Sequence, residues 1–324
     1  MRTNDLFKMY FKSQKMMRVV LLCLIPIILL STYLYGLRVL FLLGAVLLTG
    51  TLTEYLWEKK QGNKASEAIF VTCVLYTLTL PASIPFWIAI LGILFGAFFG
   101  KLVFGGFGKN IFNPALVGRA FIYVNFPEPL TISWNEISSG FPGGMGMYLT
   151  NEIDVISKAT PMILFKNYSE AVNIQDLIFG LVPGSIGETS KILIILAAVY
   201  LIFKKAASWQ IMAGSLIGFV STSSILYFFT DLNITNPLYG MMLGGFMFGT
   251  VFMATDPVSA AKTETGKWIY GIIIGLVTVL IRALSLFNGG MMFAILIGNT
   301  FAPIIDYFVK EGKTRKKVKL EVTS

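Results

Sequence analysis

The sequence predicts an all-α integral membrane protein, and three observations carry that reading. Hydrophobic residues make up 55% of the 324 residues, charged residues only 13%, and mean hydropathy is +0.74. A soluble globular chain has about 25% charged residues. The apolar residues fall in long runs of the kind a bilayer requires, where a spanning helix needs roughly 20. The basic residues that produce the net charge of +9 gather at the ends of those runs.

Taken in order, the runs predict about ten transmembrane helices, at 19–36, 38–57, 65–80, 84–104, 111–125, 191–204, 210–229, 238–254, 268–287 and 290–309. Several are short. The first lacks a small-x-small cleavage site and is followed at once by another run, so it reads as a span and not as a cleaved signal peptide. The chain divides into a first five-helix repeat (1–125), an extracytoplasmic loop (126–190), a second five-helix repeat (191–309) and a basic cytoplasmic tail (310–324).

Positive charge sets the orientation. Arg2, Lys8, Lys12, Lys15 and Arg18 precede the first run, and Lys59, Lys60 and Lys64 follow the second. Lys101 and Lys109 follow the fourth, Lys204 and Lys205 the sixth, and Lys262 and Lys267 the eighth. The tail adds Lys310, Lys313, Arg315, Lys316, Lys317 and Lys319. With ten alternating spans these all share one side, so both termini are cytoplasmic in a multi-pass protein of a prokaryotic inner membrane. The other side keeps Arg38, Lys158, Lys166, Lys191 and Arg282. The tail is a juxtamembrane cluster facing anionic lipid, not a nucleic-acid surface. With no histidine there is no imidazole-built haem or zinc site, and Cys23 and Cys73, both inside apolar runs, are too few for an iron–sulfur cluster.

Two stretches mirror one another. Gly105-Gly106-Phe107 leads to Asn110, Asn113 and Pro114, and Gly244-Gly245-Phe246 leads to Asp256 and Pro257. Paired broken segments mark an internal membrane repeat, and their unwound backbone is where such folds bind ligands. In this topology both breaks lie toward the cytoplasm, which an ideal inverted repeat does not give. Helix packing and kinking are the alternative use of the glycines and prolines.

The long loop holds Asp154-Val-Ile-Ser157-Lys158-Ala159-Thr160-Pro161. Read alone, this run is an Asp N-cap and a turn before Pro161. It also resembles the pattern Asp-x-x-Ser/Thr-x-Ala-Thr, onto which a flavin transferase places FMN as a phosphoester of the last threonine. Further on, Ser185 and Glu188 have the spacing of a capping box before the sixth run. The other reading of that segment is a loop packed on a flavin phosphate or ring, and Thr189 is a rival acceptor without the upstream pattern. Asp256 and Asp306, with Asn299, are the candidates for a polar ion gate, and Lys310 at helical spacing is the alternative partner of Asp306.

Several stretches together resemble one family. They are Asn110 to Phe121, Asp154 to Thr160, Pro183 to Ser190, Ala254 to Ser259 and Met291 to Asp306. The chain resembles the RnfD/NqrB family, whose members belong to the Rnf electron-transport complex and to the sodium-pumping NADH:quinone reductase. By its length and short N-terminal segment it resembles the Rnf member more. The resemblance implies a urea-transporter-like fold and a subunit of a redox-driven ion translocase, not catalytic alone. It would relay electrons within a ferredoxin:NAD+ oxidoreductase that moves Na+ or H+. It implies covalent FMN at Thr160, with Asp154, Ser157 and Ala159 completing the motif, although Lys158 replaces the glycine of many relatives. It further implies non-covalent riboflavin near Asn110 and Asn113. Its partners would be the other subunits of an Rnf-type complex, a flavin transferase during maturation, and the bilayer. A solute transporter or channel of the same fold, without a redox role, remains the alternative.

Overall fold

The computed structural model describes residues 10–131, 134–138, 140–150, 160–285, 287 and 289–323, the last eight of these as backbone only. Asp154, Ser157, Ala159, Arg2, Lys8 and Lys158 lie outside the described residues. Among the described residues the fold is all-α, apart from one two-residue parallel pairing of β1 (Phe11–Lys12) with β2 (Ala65–Ser66).

The first half contains α1 (Lys15–Tyr35), α2 (Arg38–Lys60), α3 (Ala68–Leu78), α4 (Phe86–Ala97), α5 (Pro114–Asn125) and the short α6 (Pro127–Thr131). The loop supplies α7 (Pro161–Tyr168) and α8 (Ile174–Phe179). The second half contains α9 (Lys191–Phe203), α10 (Trp209–Phe229), α11 (Pro237–Met242), α12 (Phe246–Phe248), α13 (Glu264–Leu284) and α14 (Met291–Thr323). Every predicted run holds helix. By length and apolarity α1, α2, α10, α13 and the 291–315 part of α14 can each cross a bilayer, while α3, α9 and the Phe86–Leu102 stretch are shorter apolar helices. The expected ten crossings therefore rest on short helices as well as long ones.

The mirrored stretches share a local structure. Helix α4 passes into a π-helical turn at Phe98–Leu102, and α12 into another at Gly249–Met253. A π-turn inserts one residue into the ladder and often sits at a functional site. After each comes a break closed by a polar cap. The Asn113 side chain accepts from the amides of Ala115 (3.0 Å) and Leu116. Asp256 accepts from the Val258 amide (2.9 Å) and the Ser259 hydroxyl (3.1 Å).

One apolar core runs through both halves, with Ile69 and Ile93 from the first and Phe246, Ile274 and Ile295 from the second. Helices α10 and α13 pack backbone to backbone. A Cβ on Gly275 would lie 2.2 Å from the Ser215 carbonyl oxygen, and one on Gly218 2.3 Å from that of Ile272. Small residues at such seams replace the hydrophobic drive that lipid does not supply.

Charge is placed less simply than the positive-inside count implies. Lys101, expected at a cytoplasmic flank, is 1% exposed. Its ammonium lies 2.6 Å from Glu54 Oε2 and 2.8 Å from the Ser66 hydroxyl. On the expected outer side, Arg38 donates to the carbonyls of Ala82 and Ile84, Lys166 to Ser285 and Lys191 to Glu188. Arg282 donates to the carbonyls of Gly240 and Leu243. Each of these cations caps backbone carbonyls left free where a helix ends or a loop turns.

Candidate functional site

Two cavities lie toward opposite ends of the helices. The larger, about 1120 Å³ with its open mouth, touches Tyr35 at the end of α1, Lys191 at the start of α9 and Met291 at the start of α14. The smaller, about 670 Å³, touches Met17 near the start of α1 and Leu201 near the end of α9. Met17 and Tyr35 are 18 residues apart, roughly 27 Å along a helix. The cavities nevertheless share a wall. Phe248 lines the first, Phe252 lines the second, and their rings sit 5.0 Å apart at the second π-turn.

Thr160 lines the larger cavity and is half-buried. It is the N-cap of α7, with its side-chain oxygen 3.4 Å from the Ile163 amide. Pro161 follows at the first helical position, where its missing amide costs nothing. A cap hydroxyl accepts through its lone pairs, so its own proton is not spent on the cap. A phosphoester on this oxygen would stand at the positive end of the α7 dipole. Thr189, the rival acceptor, also lines the cavity but is only 2% exposed, more deeply buried than Thr160.

The Pro183 to Ser190 segment forms the floor. Its backbone is bolted to the first half: the amides of Ile186 and Gly187 donate to the carbonyls of Leu80 (2.9 Å) and Leu78 (2.6 Å). The Ser31 hydroxyl donates to the Ile186 carbonyl at 2.5 Å. The helix start expected at Ser185 and Glu188 comes later, because Ser190 caps α9 instead. That leaves both residues free to line the cavity. The Glu188 carboxylate fits because residue 245 is glycine: a Cβ there would meet Glu188 Oε1 at 2.3 Å. Across from Glu188 stands Arg119 of α5, its Nη1 3.9 Å from Oε1. Lys191 is buried beside them. Arg119 Nε, Ser185 Oγ and Thr189 Oγ1 are buried and have no hydrogen-bond partner among the described residues. Three unpaired donor groups in one cavity wall are a costly arrangement unless a ligand completes them. Tyr123, Trp134, Phe248 and Phe293 supply flat apolar lining. Outside the membrane-crossing helices, burial pushes the Lys166 ammonium below its ordinary value.

The smaller cavity brings together Lys101, Asn110, Asn113 and Asp256, so both broken segments meet at one place. Asn110 donates to the Phe112 carbonyl at 3.0 Å. Asn113 and Asp256 spend their oxygens on freed backbone and a neighbouring hydroxyl, as described above. Asn299 is fully buried between the two breaks. Its oxygen accepts from the Asn113 amide (3.1 Å), and its nitrogen donates to the Ser259 carbonyl (3.2 Å) and the Tyr270 hydroxyl (2.8 Å). It is a clasp joining the halves. Asp306 is apart from both cavities and ties α14 to the start of α13, accepting from the amides of Lys262 (2.7 Å) and Thr263 (2.9 Å) and from the Thr263 hydroxyl (2.6 Å). Neither solvent nor Lys310 is the partner that fixes its position.

Sequence reasoning passed over Arg119, Lys191 and the Lys101–Glu54 pair as site residues. The signal was present: an ionisable residue inside a membrane helix is a functional candidate by default.

Known proteins match this chain along most of its length. The model of the NQR2, RnfD, RnfE family matches residues 6–315. NqrB of the Na(+)-translocating NADH-quinone reductase of Chromohalobacter salexigens is 41% identical over 281 residues, covering 83% of this chain and 65% of that protein. NqrB of Azotobacter vinelandii is 41% identical over 280 residues, covering 84% and 66%. That of Neisseria meningitidis is 38% identical over 283 residues, covering 85% and 67%. The match thus spans about two thirds of the length of these curated relatives.

Proposed function

The chain belongs to the NQR2, RnfD, RnfE family, and on that premise we propose that it is a membrane subunit of a redox-driven ion-translocating complex, relaying electrons through FMN held covalently on Thr160. The observation that carries this reading is the larger cavity: a reachable threonine at its rim and unpaired buried donors within, walled by aromatic residues. Its mixed lining, aromatic faces beside a few convergent polar groups, suits a flat ligand with a polar edge. When bound, an isoalloxazine supplies one- and two-electron chemistry, and the protein supplies position, potential and exclusion of water.

The chain's own residues divide the work. Thr160 bears the phosphate. Tyr123, Trp134, Phe248 and Phe293 shield a flat ring from solvent. Arg119, Ser185 and Thr189 offer donors to its polar edge, and Lys191 adds positive charge. The smaller cavity, bordered by Asn110 and Asn113, is the place for a second, non-covalent flavin, riboflavin. The Phe248–Phe252 contact is then part of the partition between the two. Ion coupling, to Na+ or H+, is assigned to the polar ground around Asp256.

The relatives above are subunits of an NADH-quinone reductase, and the same family includes RnfD, whose complex passes electrons between ferredoxin and NAD+. We assign the Rnf type. Purified complex that reduces NAD+ from ferredoxin supports that assignment, and NADH-dependent quinone reduction in its place refutes it. The relay itself is tested by denaturing electrophoresis after co-expression with a flavin transferase. A band fluorescent under ultraviolet light supports covalent flavin. Its absence leaves the reading as a transporter or channel without a redox role.

A further inference from the structure

We propose that Arg119 is the residue that donates to the acceptor edge of the flavin ring in the larger cavity, and that Glu188 is a positioning residue that holds the Arg119 guanidinium and offsets its charge. This inference rests on the functional reading above. Three independent features of the wall point to it.

The first is what Arg119 lacks. Its Nε is buried without a partner among the described residues. Its ionic contact is Glu188 at 3.9 Å, too long for a hydrogen bond. A guanidinium holds five donors in a planar fork and cannot shed its proton. One left partly unpaired in a protein interior is awaiting an acceptor. The second feature is its company. Ser185 Oγ and Thr189 Oγ1 are also buried and unpaired on the same wall. They come from the floor loop, whose backbone is fixed by Leu78, Leu80 and Ser31, so the donors are held in place before any ligand arrives. A wall of donors selects a flat ligand edge rich in carbonyl and imine acceptors. The pyrimidine end of an isoalloxazine is such an edge.

The third feature is the carboxylate. A ring edge of acceptors gains nothing from Glu188 directly. Glu188 instead sits against Gly245, in space that any larger residue would fill. From there it faces Arg119, and Lys191 donates to its backbone carbonyl. Its carboxylate steers the guanidinium and lowers the net positive charge of the wall.

The consequence is a potential. Two-electron reduction of the ring with uptake of one proton leaves one negative charge at the pyrimidine end. The electrons come from the neighbouring one-electron carrier of the complex. A guanidinium there favours the reduced form, and a carboxylate disfavours it. In a site shielded from water both effects are larger than at a surface. The two residues must therefore shift the flavin in opposite directions.

The test is a redox titration of the Thr160-linked flavin in the purified complex, followed by its absorbance, with the fluorescent band scored separately. Arg119→Gln should lower the midpoint potential by at least the equivalent of a tenfold change in the ratio of reduced to oxidised flavin, about 30 mV for a two-electron couple. Glu188→Gln should raise it by a similar amount. Arg119→Lys should fall between wild type and Arg119→Gln, since it keeps the charge but loses the fork. A bland packing role for these residues predicts no such opposed pair. If Arg119→Gln does not assemble, Glu188→Gln decides alone, by an upward shift or none. A band of wild-type strength with unmoved potentials overturns this assignment and leaves the functional reading standing. A wild-type chain without the band overturns both.

Discussion

Lys101 is the most exacting place to perturb this fold. Its side chain and that of Glu54 are 2% and 0% exposed, and their charged atoms are 2.6 Å apart. Glu54 also accepts from the Ser66 amide (2.9 Å) and hydroxyl (2.8 Å), and Lys101 donates to that hydroxyl as well. Lys101→Met keeps the volume and removes the cation. Glu54 is then left with two donors and an uncompensated charge. Breaking a buried pair in this way costs about 3–5 kcal/mol. That is between about two and four orders of magnitude in the folding equilibrium. The double variant Lys101→Met with Glu54→Gln removes the orphaned charge while keeping an acceptor for Ser66. Its cost should fall below about 2 kcal/mol, that of rearranged neutral hydrogen bonds. The assay is the temperature at which half the detergent-solubilised protein loses its monodisperse elution peak. The single variant should lose on the order of 10 °C, given a few degrees per kcal/mol for a chain of this size. The double variant should recover most of that loss. A single variant as stable as the wild type, or a double variant worse than the single, refutes the reasoning.

Two further outcomes follow from the geometry. Gly275→Leu should abolish assembly, because the new side chain has to enter the α10–α13 seam where even a Cβ meets the Ser215 oxygen at 2.2 Å; normal yield and elution of this variant would show that the seam is not closed. Asn113→Leu removes a helix cap worth about 1 kcal/mol, too little to prevent assembly. It should cost the complex its non-covalent flavin while the Thr160 flavin persists, and retention of both flavins in a fully assembled variant would remove that flavin from the smaller cavity.

Much of the fold was legible because membrane helices write themselves in continuous apolarity. All ten predicted runs contain helix, although the last helix continues to Thr323, well beyond the expected end at 309. Both π-turns were invisible. Each holds a glycine packed closely on another segment, Gly100 on Pro114 and Gly249 on Met291, and apolar periodicity does not report such packing. The segments flanking the larger cavity were legible in part. Thr160 and Glu188, singled out in the sequence, both border the cavity, and so does Ser185, which was expected to cap a helix that Ser190 caps instead. Capping-box spacing says nothing about tertiary bonds such as those to Leu78 and Leu80, which hold the segment out of helix. The charge count misjudged Lys101 because a lysine after an apolar run looks the same whether it reaches water or turns inward to a glutamate 47 positions earlier. Arg119 belonged to neither side of that count, lying inside the predicted 111–125 span. An unplaced cation was the available clue.

The central claim is that Thr160 carries the flavin of this protein. It is tested most directly by mass spectrometry of peptides from the chain co-expressed with a flavin transferase, alongside Thr160→Ala. The account predicts a peptide bearing FMN as a phosphoester on Thr160, an unmodified Thr189, and no fluorescent band from Thr160→Ala. FMN found on Thr189 with Thr160 bare, or a band that survives Thr160→Ala, would contradict it.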